Sequence, residues 1–303
     1  MIDLRDTPAA GQLPFGGFVP LRAPARAALV CYGIVSLVFW TFLVRKPPRY
    51  MVVMCIGSTA MTLGFAFREV FITDPYSQSR FLVQNLLILL SPCFFLATDY
   101  MIFARLAVSL TTSTAPVSET CLIIPATRVA KLFVGADITT LLIQAAGGAM
   151  LTQVAHASLG KKIVLVGLVI QLITFGAFTG ILAIFGLRVR RRFPDVWNVS
   201  SGGGLGLKDW RILFWVIALT CVGILIRSVF RIIEFSQGFN GYISTHEVYF
   251  YCFDSLPLLI AIGLYAFIWP PAYTHPLQER RGMQKVGGED EPRLENRAMQ
   301  VHA

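Results

Sequence analysis

Seven stretches of mainly apolar residues, each long enough to cross a lipid bilayer, dominate this 303-residue chain. A membrane-spanning helix needs about 20 consecutive, mostly apolar residues. Because backbone polar groups inside a bilayer must bond to one another, such stretches fold as helices. The sequence therefore predicts an all-α, polytopic integral membrane protein with seven transmembrane helices. The seven apolar runs cover 27–44, 50–72, 81–106, 129–152, 162–187, 210–233 and 247–269.

The composition agrees with a membrane protein and argues against a nucleic-acid partner. Hydrophobic residues make up 55% of the chain, charged residues only 14%, and the mean hydropathy is +0.65. Soluble domains are about 25% charged. The formal charge of +9 could indicate nucleic-acid binding in a soluble protein, but here the charges lie mostly between the apolar runs. We therefore expect membrane lipids and an amphipathic small molecule as partners, and no nucleic acid.

Three segments follow from this pattern. Residues 1–26 lack the long apolar core of a signal peptide and are predicted to be an extracellular N-terminal segment. Residues 27–270 form the seven-helix membrane domain. Residues 271–303 are polar, mixed in charge and without apolar periodicity, so they are predicted to be a disordered cytoplasmic tail.

The distribution of basic residues predicts the orientation. The connections after the first, third and fifth runs, taken with the C-terminal tail, hold 17 of the 26 Lys and Arg residues. These are Arg45, Lys46, Arg49, Arg105, Arg128, Lys131, Arg188, Arg190, Arg191, Arg192, Lys208, Arg211, Arg280, Arg281, Lys285, Arg293 and Arg297. Because basic residues accumulate on the cytoplasmic side, the N-terminus is predicted outside and the C-terminus in the cytoplasm. Trp40, Trp210, Trp215 and Trp269 then lie near cytoplasmic helix ends, and the glycosylation sequon at Asn198 is on the cytoplasmic side.

Motifs of soluble enzymes are missing from the sequence. The glycine-rich segment 201–208 has neither Walker spacing nor a preceding strand, so it gives no sign of an ATPase. The four histidines are scattered, and none of the six cysteines forms a CxxC pair, so we expect reduced thiols and no metal site. No catalytic residue and no cofactor is predicted.

Ionisable residues inside the sixth and seventh runs are the candidates for function, because charges in a bilayer are costly and usually face a partner or a wet cavity. In each run three polar residues fall at i, i+4 and i+7, which is one face of a helix. They are Arg227, Arg231 and Glu234 in the sixth run, and Glu247, Tyr251 and Asp254 in the seventh.

The two helices are antiparallel, so residues at equal depth can meet. Arg227 and Asp254 each lie seven residues from the outer ends marked by Glu234 and Glu247, which is about 10 Å into the membrane. The spacing predicts the ion pairs Arg227–Asp254 and Arg231–Glu247. Two interpretations stay open: the pairs only fasten two helices together, or they form the polar floor of a pocket that lipids can enter.

Further polar residues occur in the third and fourth runs. Asp137 lies about 12 Å into the fourth helix, and Gln144 follows at i+7 on the same face. Asp137 could relay protons or could make a structural hydrogen bond to the neighbouring helix. Asp99 lies near the cytoplasmic end of the third helix. The Gly147-Gly148 pair favours close helix packing.

The sixth and seventh runs closely resemble the signature of the RTA-like family, the fungal lipid-translocating exporter family of seven-helix membrane proteins. The signature residues are Arg227-Ser228-Val229-Phe230-Arg231-Ile232-Ile233-Glu234-Phe235, then His246-Glu247, then Phe253-Asp254-Ser255-Leu256-Pro257. Blocks at 89–105 and 133–148 also fit, so the likeness covers about 30–270. The resemblance implies a fungal source and family roles in moving sphingoid long-chain bases, in tolerance of lipophilic toxins and in porphyrin uptake.

On this basis we expect a transporter or flux regulator for amphipathic lipids or lipophilic toxins at the plasma membrane, working without ATP hydrolysis. Glu234, Glu247 and Asp254 could hold the amine of a long-chain base, because three acids face only two arginines. Tyr251, Asp137 and Gln144 are further candidate substrate-binding residues. The alternatives are a seven-helix receptor, or a membrane enzyme that modifies or cyclises lipids. The oligomeric state stays open.

Overall fold

The fold is known from a computed structural model that describes residues 21–45, 48–110, 117–151, 156–198, 209–237 and 246–274. Within these ranges the chain is helical and contains no strand. Its helices are α1 (Arg22–Arg45), α2 (Val52–Thr73), α3 (Gln78–Ser109), α4 (Val117–Cys121), α5 (Ala126–Met150), α6 (Ala157–Arg192), α7 (Pro194–Asn198), α8 (Trp210–Gln237) and α9 (Glu247–Phe267). All except the short α4 and α7 are long and apolar enough to cross a membrane, which confirms the predicted seven-helix class.

The helices extend beyond the apolar runs because hydrogen bonding continues into polar residues that hydropathy does not count. The clearest case is α6, whose apolar run spans 162–187 but whose helix also includes Lys161 and the arginines up to Arg192. Residues 271–274, assigned above to the tail, form a helical turn in which Tyr273 and Thr274 are buried. Of the predicted N-terminal segment 1–26 and the predicted tail 271–303, residues 1–20 and 275–303 lie outside the described residues.

Each long helix packs against its neighbours in the sequence, and α9 closes the bundle by packing on α1. The third helix also contacts α8, so α3 adjoins α2, α5 and α8. We call the end of the bundle where α1 and α9 begin the upper end, and the opposite end the lower end. At the upper end the Leu21 amide donates to the Glu247 carboxylate over 2.7 Å. At the lower end the rings of Phe42 and Trp269 lie 5.2 Å apart.

The outer surface of the bundle is apolar. Leu37, Leu142, Ile173 and Phe267 each expose more than 60% of their surface. Inside, aromatic side chains fill the core, and Tyr100 contacts the Phe178 ring at 4.5 Å. An apolar exterior of this extent suits a lipid environment, because lipid tails rather than water then cover these side chains.

A close contact between α5 and α6 depends on glycine. A methyl group at Gly147 would lie 2.8 Å from Val164 Cγ2 and 2.9 Å from the Gly160 carbonyl oxygen. At the adjacent Gly148 nothing lies within 4 Å. Small residues of this kind let helix backbones approach in membranes, so Gly147 and Gly160 set the spacing of these two helices.

Candidate functional site

A proline within α3 leaves one backbone carbonyl of that helix without its usual hydrogen-bond donor. Pro92 has no N–H, so the Ile88 carbonyl, four residues earlier, has no donor within its own helix. Arg227 of α8 supplies one from its Nη2 atom over 3.1 Å. The arginine therefore satisfies a backbone group that the proline leaves open, and it connects α8 to the middle of α3.

Arg227 and Arg231 share one carboxylate, that of Asp254 in α9. Arg227 donates from Nη1 to Asp254 Oδ2. Arg231 donates from Nε to Asp254 Oδ1 over 2.5 Å and from Nη2 to Oδ2 over 3.1 Å. Its Nη1 atom binds Glu234 one turn along the same helix over 3.1 Å. Asp254 is fully buried, so the two guanidinium groups replace the water that its charge would otherwise need.

Asp254 sits on an irregular part of α9. Residues Phe250–Ser255 form a π-helical segment, in which each turn holds more residues than in an α-helix. The π-helical turn adds Phe250 to the polar face predicted for Glu247, Tyr251 and Asp254. Glu247, Phe250 and Asp254 are buried, and the half-buried Tyr251 also faces Arg68, whose Cζ lies 5.8 Å from the centre of its ring. The Phe250 ring lies between two cations, 4.9 Å from Cζ of Arg68 and 5.3 Å from Cζ of Arg231.

Glu247 pairs with Arg68 of α2, and the predicted Arg231–Glu247 pair is wrong. Arg68 Nη2 lies 2.6 Å from Glu247 Oε1, and both side chains are buried. The reason is packing: the start of α9 lies at the same end of the bundle as Arg68, while the donors of Arg231 are occupied by Asp254 and Glu234. Arg68 was visible in the sequence as an arginine inside an apolar run, but nothing in its own segment indicated its partner.

These six residues form what we call the charge cluster: Arg68, Arg227, Arg231, Glu234, Glu247 and Asp254. Three cations face three anions, so the cluster is neutral overall. The surplus negative charge that the sequence analysis expected for an amine is absent from it, because Arg68 was not counted there. Glu234 has the most exposed acidic side chain of the cluster, at 18%, so a cationic group approaching from outside reaches it first.

A small cleft adjoins the cluster between α3, α6 and α8. Its volume of about 30 Å³ is that of roughly two water molecules. The lining is apolar on α3 and mixed on α6 and α8. The lining residues are Leu89, Pro92, Leu96, Leu168, Gln171, Ile224, Arg227, Ser228 and Arg231. The cleft can therefore hold a single amine or hydroxyl group but not a lipid tail.

Asp137 and Gln144 lie on α5, apart from the acids of the cluster. Gln144 Nε2 donates to Oε1 of Gln171 over 2.8 Å, so it reaches the cleft through that residue. Gln171 in turn donates to the Cys93 sulfur over 3.7 Å. Asp137 accepts a hydrogen bond from the Tyr100 hydroxyl over 2.8 Å. Of the predicted substrate-binding residues, the structure thus brings Gln144 next to the cleft and leaves Asp137 beside α3.

Gln171 and Tyr265 also take part in the polar interior, although no sequence pattern indicates them. Tyr265 of α9 donates to Asp99 Oδ1 over 2.7 Å. A glutamine or tyrosine in an apolar run is a weak signal alone, because either can be satisfied by a neighbouring backbone. Their roles become visible only when the partners on other helices are known.

Seven apolar helices around a buried, neutral charge cluster define this chain as an integral membrane protein of the seven-helix class. The chain belongs to the family described as RTA1 like protein, which matches residues 54–276.

Several relatives are proteins of the yeast Saccharomyces cerevisiae. The chain is 35% identical over 214 residues to Protein RTA1 of Saccharomyces cerevisiae, covering 71% of this chain and 63% of that protein. It is 31% identical over 206 residues to Protoporphyrin uptake protein 1 of the same species, covering 68% and 64%. A more distant relative there, Sphingoid long-chain base transporter RSB1, is 21% identical over 279 residues, covering 82% and 71%. The chain thus spans less than two thirds of the first two relatives. No solved structure matches it.

Proposed function

We propose that this protein translocates amphipathic lipids of the sphingoid long-chain base type, or lipophilic toxins, across the fungal plasma membrane without hydrolysing ATP. In this role it acts as a transporter or flux regulator and contributes to toxin tolerance. The observation that carries the proposal is the cleft, where apolar side chains of α3 meet Arg227, Arg231 and Gln171 inside the membrane. The names of two relatives, a long-chain base transporter and a porphyrin uptake protein, support a lipophilic substrate.

The cleft addresses the main physical obstacle to lipid translocation. A polar head group loses its water when it enters hydrocarbon, and an unpaired polar group there costs several kcal/mol. Arginine, glutamine and Ser228 offer hydrogen-bond partners at that depth. Because the cleft holds only about two water volumes, the head group enters alone. The tail then stays in lipid along the apolar outer surface of the bundle.

The neutral cluster accepts more than one kind of head group. Each guanidinium has five N–H groups, so hydroxyl groups can accept from those that Asp254, Glu234 and the Ile88 carbonyl leave unused. An amine can donate to Glu234, the most exposed acid of the cluster. Since the sequence shows no Walker-type motif, the proposed energy source is a concentration gradient of the lipid or of an ion.

Purified protein in liposomes tests the proposal. A labelled sphingoid long-chain base is added outside, and its appearance in the inner leaflet is followed over time. We expect transfer several-fold faster than in protein-free liposomes. Recovery of the probe with unchanged mass separates transport from lipid modification. A transfer rate equal to that of protein-free liposomes would contradict the proposal.

Two substitutions on neighbouring residues test the cleft itself. Ser228→Leu fills the cleft and should slow transfer several-fold. Val229→Leu enlarges an adjacent side chain that is exposed on the bundle surface, so it should leave the rate unchanged. Equal rates for the two variants would show that the cleft is not on the path.

A further inference from the structure

Two aspartates, Asp99 on α3 and Asp137 on α5, are buried, and each has one oxygen without a hydrogen-bond partner. Asp99 is fully buried, and its Oδ1 accepts from the Tyr265 hydroxyl. Asp137 is 3% exposed, and its Oδ2 accepts from the Tyr100 hydroxyl. Among the described residues, no group bonds to Asp99 Oδ2 or to Asp137 Oδ1. Each acid is thus held by a single phenol.

Neither aspartate has a cationic partner in the described ranges, where every ion pair involves other acids. The Cys221 thiol of α8 also faces Asp99, and the Cys93 thiol of α3 faces Asp137. These thiols, like the two phenols, are uncharged at neutral pH.

The basic residues that could reach the two aspartates face elsewhere. Lys131, six residues before Asp137 on α5, is exposed. Arg105, six residues beyond Asp99 on α3, lies over the Tyr50 ring. Arg227 is bound to Asp254. A buried carboxylate without a cation is strongly disfavoured, and it neutralises by taking up a proton. The geometry therefore favours the protonated, neutral acid at both positions, in contrast to the paired carboxylates of the charge cluster.

The two acids are connected to the part of the bundle that the head group would use. Asp99 and Tyr100 are consecutive on α3, so one level of this helix bonds both α9 and α5. Pro92, which lines the cleft, lies two turns away on the same helix. Gln144, bonded to the cleft residue Gln171, lies seven residues from Asp137, or about 10 Å along α5. A movement of α3 at the proline would change the cleft and the two carboxyl–phenol pairs together.

We propose that Asp99 and Asp137 are proton-binding sites that couple lipid movement to a proton gradient. This proposal rests on the proposed lipid transport and names its coupling ion. In each cycle the carboxyl O–H bond breaks, the proton passes to water that reaches the acid from one side, and the carboxylate takes up a proton from the other side. No electron is transferred, and no further reactant is needed.

A purely structural role of the two pairs makes the opposite predictions for conservative variants. Asp99→Asn and Asp137→Asn keep an oxygen that accepts from the tyrosine, but they remove the exchangeable proton. Tyr265→Phe and Tyr100→Phe remove the hydrogen bond, but they keep the acid. If the pairs only fasten helices, the Phe variants lose function and the Asn variants are normal. If the acids carry protons, the Asn variants lose coupling and the Phe variants retain it.

The transport test uses liposomes with a pH-sensitive dye inside. The probe is the labelled long-chain base used above, and protein-free liposomes under the same gradient correct for the proton that its amine carries. We expect an imposed pH gradient to accelerate probe transfer by the wild-type protein and the dye to report proton movement with it. Asp99→Asn and Asp137→Asn should lose both responses, whereas Asp195→Asn, an exposed acid on α7, should keep them. Wild-type transfer that ignores the gradient would overturn the coupling but leave lipid transport standing.

Infrared spectroscopy provides a readout that does not depend on transport. At neutral pH the wild-type protein should show the C=O stretch of protonated carboxylic acids. That band should weaken in Asp99→Asn and in Asp137→Asn and should be unchanged in Asp195→Asn. Absence of the band from the wild type, or a band that neither Asn variant alters, would refute the proton sites even if no lipid is transported.

Discussion

At the scale of single residues, arginine side chains supply the hydrogen-bond donors that the buried acids and carbonyls of this protein need. A guanidinium group carries five N–H donors in a planar fork, so it can bind a carboxylate and a carbonyl at once. Arg227 uses this property to bind Asp254 and the Ile88 carbonyl that Pro92 leaves open. A lysine has one ammonium nitrogen and could not span both positions in this way. The charge cluster therefore also connects α3, at the carbonyl that its proline leaves open, to α8 and α9.

Loss of Asp254 should destabilise the protein more than any other single change in the cluster. Asp254→Ala removes the shared carboxylate and leaves Arg227 and Arg231 with Glu234 as their nearest remaining acid. Breaking a buried pair by removing one partner costs about 3–5 kcal/mol. We expect a large fall in the yield of monodisperse protein and in its thermal unfolding temperature in detergent, with Asp195→Ala as the unaffected control. A stable, fully active Asp254→Ala protein would contradict this account.

The reciprocal exchange separates charge pairing from the other role of Arg227. Arg227→Asp combined with Asp254→Arg restores opposite charges at the same depth, but an aspartate cannot donate to the Ile88 carbonyl. We expect surface expression to recover only in part relative to either single variant. Full recovery of both expression and lipid transfer would mean that the bond to Ile88 contributes nothing.

Consecutive residues of α2, Arg68 and Glu69, form a buried and an exposed ion pair, so substitutions can compare the two. Glu247→Gln removes the charge that faces buried Arg68, and the lost pairing should lower the free energy of unfolding by about 3–5 kcal/mol. Glu69→Gln removes the charge that faces Arg26, whose side chain is 62% exposed, so the loss should be at most about 1 kcal/mol. Thermal unfolding of the two variants in the same detergent measures the difference. Similar losses of unfolding free energy in the two variants would show that burial does not strengthen the Arg68–Glu247 pair.

At the scale of the helices, the sequence predicts what depends on composition and misses what depends on packing. The apolar runs located all seven membrane helices, because the thickness of the bilayer sets a minimum length for each apolar segment that crosses it. They could not indicate the π-helical segment of α9, in which Phe250 is buried alongside Asp254. Helical spacing paired Arg227 with Asp254 because α8 and α9 are adjacent in the chain. Arg68 and Glu247 are 179 residues apart, and no local pattern connects them.

The contact between α5 and α6 supplies a matched pair of substitutions. Gly147→Ala places a methyl group against Val164 and the Gly160 carbonyl, and overpacking of this kind costs about 1–3 kcal/mol. Gly148→Ala adds the same methyl group to open space and should be neutral or slightly stabilising in the helix. The thermal unfolding temperature should fall for the first variant alone. If both variants unfold at the wild-type temperature, the glycine does not set the helix spacing.

At the scale of the whole molecule, the lower end of the bundle collects basic and aromatic residues. Arg188 and Arg192 at the end of α6 donate to carbonyl oxygens of Cys121 and Thr120 over 3.3 and 3.5 Å. The predicted tryptophan belt is only partly of the expected kind. Trp215 is exposed, as a lipid-facing residue would be, but Trp210 is buried against the Trp197 ring at 5.4 Å. Some of these residues thus stabilise the loops of this end rather than contact lipid.

The orientation of the bundle can be tested at Asn198, the last residue of α7 at the lower end. Because basic residues concentrate on this side, we predict that it faces the cytoplasm, where sequons receive no glycan. A second sequon, created by Ala10→Asn with Gln12→Thr in the N-terminal segment, should face outward and be modified. The measurement is the change in electrophoretic mobility when each protein is treated with a glycosidase. We expect a shift for the engineered protein and none for the parent, and an Asn198→Gln variant should behave like the parent.

A glycan on Asn198 together with an unmodified N-terminal sequon would place the basic end outside. That result would reverse the side from which lipid and proton enter the bundle while leaving the charge cluster and the cleft as they are.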